Sequence, residues 1–195
     1  MRYEKGRKDA SRSRIMEVAG ERFRSDGIAA SGLASIMSDA GLTNGAFYPH
    51  FQSKSELVRE SMAAALEAQS RQLREALASR GPEMAIAAYL SAGHRDNPGK
   101  GCASAALLPE LARQPSETRS LYAEHFQTLV RQMSAALPPQ TKDPEGVALG
   151  LYATLIGALQ LARAVEGTEL SDRILAAGAD AARALIQPRQ HEEAS

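Results

Sequence analysis

The sequence predicts an all-α fold, with a small N-terminal helix-turn-helix module followed by a larger helical body. Apolar residues recur at helical spacing in almost every segment, and no segment alternates apolar with polar residues as a half-buried strand does. Glycines, prolines and capping residues separate those segments at helix-length intervals. A chain of 195 residues has room for one or two compact domains. Its 44% hydrophobic and 24% charged residues are globular values and exclude an extended disordered class. No run approaches the roughly 18 apolar residues that span a bilayer, and the opening MRYEKGRKDASRSR lacks the apolar centre of a secretory signal. Cys102 is the single cysteine, so an intrachain disulfide framework is excluded. Cytoplasm is therefore the expected compartment, with no membrane partner.

The first helix is expected from Ser11 to about Ser25, with Ile15, Val18, Ala19 and Phe23 on one face and Gly27 just past its end. A short helix follows from about Gly32 to Ala40, carrying Leu33, Ile36 and Met37, with Ser31 as its expected N-cap. Gly41 breaks it by supplying a positive φ, and Thr43 caps another short helix that runs through Tyr48 and His50. Ser53 caps a long helix, with Glu56 completing a capping box. Leu57, Val58, Met62, Ala65, Leu66, Leu73 and Leu77 give that helix its apolar positions before Gly81-Pro82 stops it. Five further helices are expected at about 82–93, 102–113, 116–137, 144–166 and 170–186, with Pro109 kinking the second of these. The tail PRQHEEAS reads as frayed. The domain boundary falls near residue 53, giving 1–53 (with a basic tail, 1–10) and 54–195.

Two short helices joined by about three residues at Gly41 form the helix-turn-helix layout, whose second helix enters the DNA major groove. The residue types fit that task. Thr43 can satisfy an orphan N–H or bond a phosphate. Asn44 carries both donor and acceptor, which suits adenine. Gly45 and Ala46 have so little side chain that the backbone can approach the groove floor. Tyr48 and His50 offer a hydroxyl and an imidazole to the phosphate chain, contacts that position rather than specify. Lys54 stands at the start of the long helix, where the dipole also favours a phosphate. Phe47 and Phe51 are expected in the core of the small module. Pro49 removes a backbone donor and is expected to shorten the reading helix. The formal net charge is +0, but Arg2, Lys5, Arg7, Lys8, Arg12 and Arg14 face only Glu4 and Asp9 in the first 14 residues. Such a segment reads either as a solvated tail or as one that tracks phosphates.

The run GLTNGAFYPHFQSKSEL, residues 41–57, resembles the signature of the TetR/AcrR family of bacterial transcriptional regulators. The likeness lies in the glycine turn, the small-residue reading helix, the aromatic-Tyr-x-His-Phe run and the Ser-Lys-x-x-Leu helix start. An apolar first helix to Phe23, then Gly27, Ile36 and Ala40-Gly41, are similar too, so the motif covers roughly residues 11–60. The resemblance implies a three-helix DNA-binding domain, a helical ligand-binding and dimerisation domain, a homodimer, and repression lifted by a small-molecule effector. Thr43, Asn44, Gly45, Tyr48, His50 and Lys54 match positions that commonly contact operator DNA. Gly32 stands where many members carry threonine, so Ser31 is the expected replacement for that phosphate contact.

In the body, 147–165 (VALGLYATLIGALQLARAV) is apolar nearly all round and rich in small residues. The resemblance implies that it and the last helix pair with their copies across a dimer interface, through Leu151, Leu155, Ala158, Leu161, Ala162 and Ala182. An effector cavity is expected among the middle helices, with Met62, Leu66, Met84, Leu107, Leu108, Phe126, Leu129, Met133 and Tyr152 as candidate lining. Cys102 follows Lys100 at an expected helix start, where both features favour thiolate. A thiol-switched repressor sensing electrophiles or oxidants is therefore an alternative to effector release. A third alternative is a helical ligand-binding or interaction protein whose DNA module is vestigial. Catalysis finds no footing. The four histidines are scattered, no HExxH or CxxC spacing would hold a metal, and neither a GxSxG elbow nor a P-loop occurs. No cofactor is expected.

Overall fold

The computed structural model describes the backbone of residues 2–187 and the side chains of residue 6 and residues 8–187. The tail 188–195 with His191, and the side chains of Arg2, Lys5 and Arg7, lie outside the described residues. Among those described, eight α-helices and two 3₁₀ turns form, and no strand. They are α1 (Arg2–Asp26), α2 (Leu33–Asp39), α3 (Lys54–Tyr89), α4 (Ala92–Arg95), α5 (Ala103–Leu111), α6 (Ser116–Ala135), α7 (Pro144–Ala164) and α8 (Glu169–Ile186). The 3₁₀ turns are Asn44–Ala46 and Pro98–Lys100.

Local sequence signals account for most boundaries. Gly27 ends α1 at φ 86°, and Gly41 follows α2 at φ 71°, both values that a side chain would strain. Ser53 Oγ accepts the Glu56 N–H at 3.1 Å, while a Glu56 carboxylate oxygen accepts the Gln52 N–H at 2.6 Å. That capping box is displaced by one residue from the usual reciprocal pair. Gly81 breaks α3 internally, with φ 75° and ψ 172°, just before Pro82. Asp143, itself left-handed at φ 50°, caps α7 by accepting the Gly146 N–H.

Several expectations are corrected. Helix α1 starts at Arg2, so residues 2–10 continue the helix rather than forming a tail beside it. Gly32, not Ser31, occupies the N-cap of α2, and no side chain caps that helix. The expected helix 82–93 is the last part of α3, which ends at Tyr89, and Ser91 then caps a separate short α4 by accepting the His94 N–H. Helix α7 has the length and composition to cross a membrane, with a mean hydropathy of 1.4 over its best window. Its alanines and glycines bring it to that length where a run of strongly apolar residues would not, and 44% of the window is buried within the chain, as in a core helix.

The chain packs as two compact units, residues 1–69 with 97–125, and residues 70–96 with 126–195. The first contains all of 1–53 and adds the start of α3, α5 and the start of α6. Its core joins Ile15, Ala19 and Phe23 of α1, Ile36 and Met37 of α2, Phe47 and Phe51, Leu57, Val58, Met62 and Leu66 of α3, and Leu107 and Leu111 of α5. In the second unit α7 packs along α8, burying Leu151, Leu155, Leu159 and Ala162 with Leu175, Ala179 and Ala182. Arg163 braces it by donating to the carbonyls of His94 and Arg95, and Arg95 pairs with Asp96 and Asp172.

The α7–α8 contact depends on one glycine. A methyl at Gly178 would overlap Ala158 Cβ and press on Leu90. Gly178→Ala is expected to destabilise the protein by about 1–3 kcal/mol despite the better helix propensity of alanine. Urea unfolding checks this, and an unchanged or raised midpoint would show that the helices can separate at no cost.

Candidate nucleic-acid interface

The reading segment is shorter than the sequence suggests. Only Asn44–Ala46 is helical, as a 3₁₀ turn, where a helix to His50 was expected. Thr43 has the N-cap conformation, at φ −79° and ψ 154°, but its side chain makes no capping bond, which leaves the hydroxyl uncommitted there. The chain then rounds a second turn, in which the His50 and Phe51 N–H groups both donate to the Phe47 carbonyl. Pro49 sits inside that turn and has no N–H with which to extend the ladder.

Two phenyl rings hold this irregular segment. Phe47 and Phe51 are 2% and 1% exposed and stack at 5.6 Å between centroids. Their burial turns the intervening residues outward. Thr43, Asn44 and Gly45 are exposed, no heavy atom lies within 4 Å of where a Gly45 Cβ would stand, and Tyr48 is 70% exposed. A hydroxyl, an amide and a phenol are thus all open to solvent within six residues.

The other candidates divide. His50 is half-buried, and its Nδ1 is enclosed without a hydrogen-bond partner. Burial first, then the charges of Lys8 and Arg12, push its imidazole below the ordinary value. Lys8 on α1 thus faces His50. Arg12, one turn along, lies 4.8 Å over the Phe51 ring and pairs with Glu60. Ser31 is fully buried, its Oγ donating to the Gly27 carbonyl at 2.6 Å, so the hydroxyl closes the α1–α2 linker from inside. Lys54 is half-buried, and its Nζ donates to the Ile28 carbonyl at 2.6 Å.

Sequence reasoning missed Glu110. Its carboxylate reaches from α5 to the same linker and accepts the Ile28 N–H at 3.0 Å and the Ala29 N–H at 2.9 Å. A groove of about 340 Å³ lies alongside, lined by Ile28, Lys54, Val58, Glu110 and Arg113 among others. No short-range signal marks a residue that acts on a partner 82 positions away.

This buried aromatic pair beneath an exposed small-residue turn coincides with a family assignment. Residues 15–61 match the profile of bacterial regulatory proteins, tetR family. The N-terminal module therefore matches the tetR family. The match spans the helix-turn-helix and marks it as the DNA-binding module of a transcriptional regulator. Among curated proteins none matches. Solved structures of regulatory proteins resemble this chain over nearly its full length. The reduced form of Escherichia coli NemR is 20% identical, with a TM-score of 0.77 over 93% of this chain and 100% of its own. A TetR-family regulator of Cytophaga hutchinsonii is 18% identical, with a TM-score of 0.76 over 94% of this chain and 98% of its own. Regulatory protein TetR of Rhodobacter sphaeroides is 19% identical, with a TM-score of 0.73 over 90% and 98%. At such identities the likeness concerns the fold.

In the body the predicted residues scatter. Of the candidate cavity lining, Met62, Leu66 and Leu107 belong to the close-packed core of the first unit, and Leu108 is half-buried there. Leu129, Met133 and Tyr152 are buried in the second unit, with half-buried Phe126 beside Tyr152 at 5.2 Å between ring centroids. Met84 is 55% exposed and lines no interior space. Cys102 is the N-cap residue of α5, buried, with its Sγ accepting from Gln69 Nε2 at 3.2 Å. Of the expected dimer residues, Leu151, Leu155, Ala158, Ala162 and Ala182 are buried inside the single chain, and only Leu161 is open, at 61%. The correction has a simple cause. An all-round apolar helix does not reveal which side its own chain covers.

His50 and His94 both titrate below the ordinary imidazole value of 6.5, in each case chiefly through burial. Folded imidazoles then bind protons less readily than unfolded ones. Their contribution to stability is full above about pH 6.5, shrinks as the pH falls below it, and is lost beneath the folded values. Urea midpoints are therefore expected to drop between about pH 7 and pH 5. Replacing both histidines by glutamine should flatten that slope, and a slope unchanged in the double variant would refute the assignment.

Proposed function

We propose that this protein is a transcriptional repressor rather than an enzyme, that it binds a palindromic operator as a homodimer, and that a small-molecule effector releases it. One observation carries the reading: Thr43, Asn44, Gly45 and Tyr48 are all exposed on a short turn anchored by a buried phenyl pair. A vestigial DNA module would have no reason to keep an amide, a hydroxyl and a phenol exposed on so short a turn. Asn44 is the base-reading residue, while Thr43, Tyr48 and His50 serve the phosphate chain. Lys54 assists with the donors that its bond to Ile28 leaves over.

Homodimerisation is supported by what α7 and α8 leave uncovered. Leu149, Ala153 and Leu161 form an exposed stripe along α7, with half-buried Gly157 among them. On α8, Ala177, Ala181, Ala184 and Leu185 are exposed. Small residues of this kind allow two helices of a partner to approach closely. Two copies would present two reading turns, as a palindromic site demands. Effector release requires a ligand that binds the two states of the dimer unequally. The burial of Cys102 weighs against the thiol switch, because an oxidant or electrophile must reach the sulfur.

Two experiments test this. In gel-shift titrations against genomic fragments, wild-type binding is expected to be specific and to weaken with salt. Tyr48→Ala should weaken all sites, and Asn44→Ala should relax preference at one base position by about 1–3 kcal/mol. If neither substitution changes binding, the reading face lies elsewhere. For the dimer, Leu161→Glu should leave the chain folded and yield monomers in light-scattering chromatography. A dimer that survives this change would place the interface on another surface.

A further inference from the structure

We infer that Glu110 is a positioning residue for DNA binding: together with Lys54 it clamps the α1–α2 linker and so fixes where the reading turn stands. The inference rests on the DNA-binding role above and adds to it a residue outside the N-terminal module. The peptide joining Ile28 and Ala29 is gripped on both sides. Its N–H, carried by Ala29, donates to Glu110 at 2.9 Å, and its carbonyl, that of Ile28, accepts from Lys54 Nζ at 2.6 Å. A second N–H, from Ile28, donates to the other Glu110 oxygen at 3.0 Å. All three bonds are charge-assisted, the stronger class, and donor and acceptor bonds on one peptide polarise each other.

The site is built for this carboxylate. Gly27 precedes the clamped residues at φ 86°, and a side chain there would press its Cβ to 2.8 Å from Glu110 Oε1. Glycine thus serves two needs, the left-handed turn and room for the carboxylate. The linker is closed from the other side by Ser31, whose N–H and Oγ both bond the Gly27 carbonyl. Ile28 is 6% exposed and anchors the linker in the core. Helix α2 begins at Leu33, immediately beyond, and the reading turn follows at Asn44. Holding Ile28–Ala29 therefore sets the starting point of both DNA-reading elements.

The neighbouring segment supports the same end of α1. Arg24 Nε donates to the Gly99 carbonyl at 2.7 Å, and Gly99 lies so close to Glu21 and Ser25 that a side chain would not fit. Two loops distant in sequence thus hold the C-terminal turn of α1 and the linker after it. Glu110 is the one of these contacts that addresses the linker's N–H groups directly. Without it the linker has a wider choice of conformations, only a fraction of which present the reading turn correctly. Apparent affinity then falls by that fraction.

The test uses the full chain and duplexes selected from a random pool by the wild-type protein. Glu110→Ala is expected to lower affinity for those duplexes about tenfold or more, with an unchanged salt slope because no phosphate contact is lost. In the free protein the amides of Ile28 and Ala29 should lose hydrogen-exchange protection while those of α2 keep theirs. Glu110→Gln retains one acceptor oxygen and should fall between. Circular dichroism at the assay temperature establishes that each variant is folded, and the Gln variant carries the test if Ala is not. Wild-type affinity in a folded Ala or Gln variant would overturn the inference, as would protected Ile28 and Ala29 amides. A changed salt slope would also overturn it, by making Glu110 part of the phosphate-facing surface. If the wild-type protein selects no duplex, the DNA-binding reading itself fails, whereas the amide readout still reports on the clamp.

Discussion

The stacked pair Phe47–Phe51 holds the reading segment together in place of a helix's own hydrogen bonds. A 3₁₀ turn of three residues closes too few backbone bonds to persist alone. Burying each ring stabilises the fold by about 1.5–3 kcal/mol, and both rings sit in the core formed by α1, α2 and α3. Tyr48 leans edge-on against Phe47 at 5.4 Å, so even the exposed phenol is oriented by the buried ring. Above Phe51, Arg12 adds a cation–π contact while paired to Glu60 of α3. The segment can therefore leave Thr43, Asn44 and Gly45 unencumbered without losing its shape.

A second constraint acts one linker earlier. Helix α2 has no side-chain cap, so its start is fixed by tertiary contacts on residues 27–31 rather than by local capping. Ser31 turns inward, Lys54 takes one carbonyl, and Glu110 takes two N–H groups. Each is a polar group placed at the edge of an apolar core, where a hydrogen bond left unmade costs more than one made contributes. That asymmetry makes the linker conformation specific. It also ties α5 into the same compact unit as the helix-turn-helix.

What the sequence made legible was local. Gly27 and Gly41 carry the positive φ expected of them, Ser53 and Glu56 cap α3, and Gly81 breaks it where expected. Phe47 and Phe51 are core. These readings succeed because a glycine's torsion or a capping box depends on a few adjacent residues. Ser31 was misread, Glu110 was missed and the bond from Lys54 to Ile28 was unforeseen because their partners are set by tertiary packing, and a serine before a helix looks like an N-cap until burial turns it. The expected dimer residues failed for a related reason. Helix α7 is apolar on every side, so its period shows no preferred face, and only the position of α8 reveals that Leu151, Leu155 and Ala162 face inward while Leu161 faces out. The short reading turn was only half legible: Pro49 announced an early end, but not that the turn would be 3₁₀ throughout.

Zero net charge is no argument against DNA as the partner, because phosphates sense charge over a screening length of about 8–10 Å. Near the reading turn the relevant question is which cations are already committed. Arg12 is held by Glu60, Arg14 by Glu17, and Arg22 by Asp26 and Asp39. On the proposed reading, the turn itself offers DNA a hydroxyl, an amide and a phenol, with Lys8 beside His50 at its edge. Such groups act through hydrogen bonds that weaken steeply with distance and angle, whereas a lysine-rich patch attracts phosphates from any nearby position. A surface of this kind gains little from merely approaching a duplex and much from arriving in register. The heavy structural investment in the phenyl pair and the clamped linker follows from that: where affinity is directional, the position of three small residues has to be set by the core beneath them.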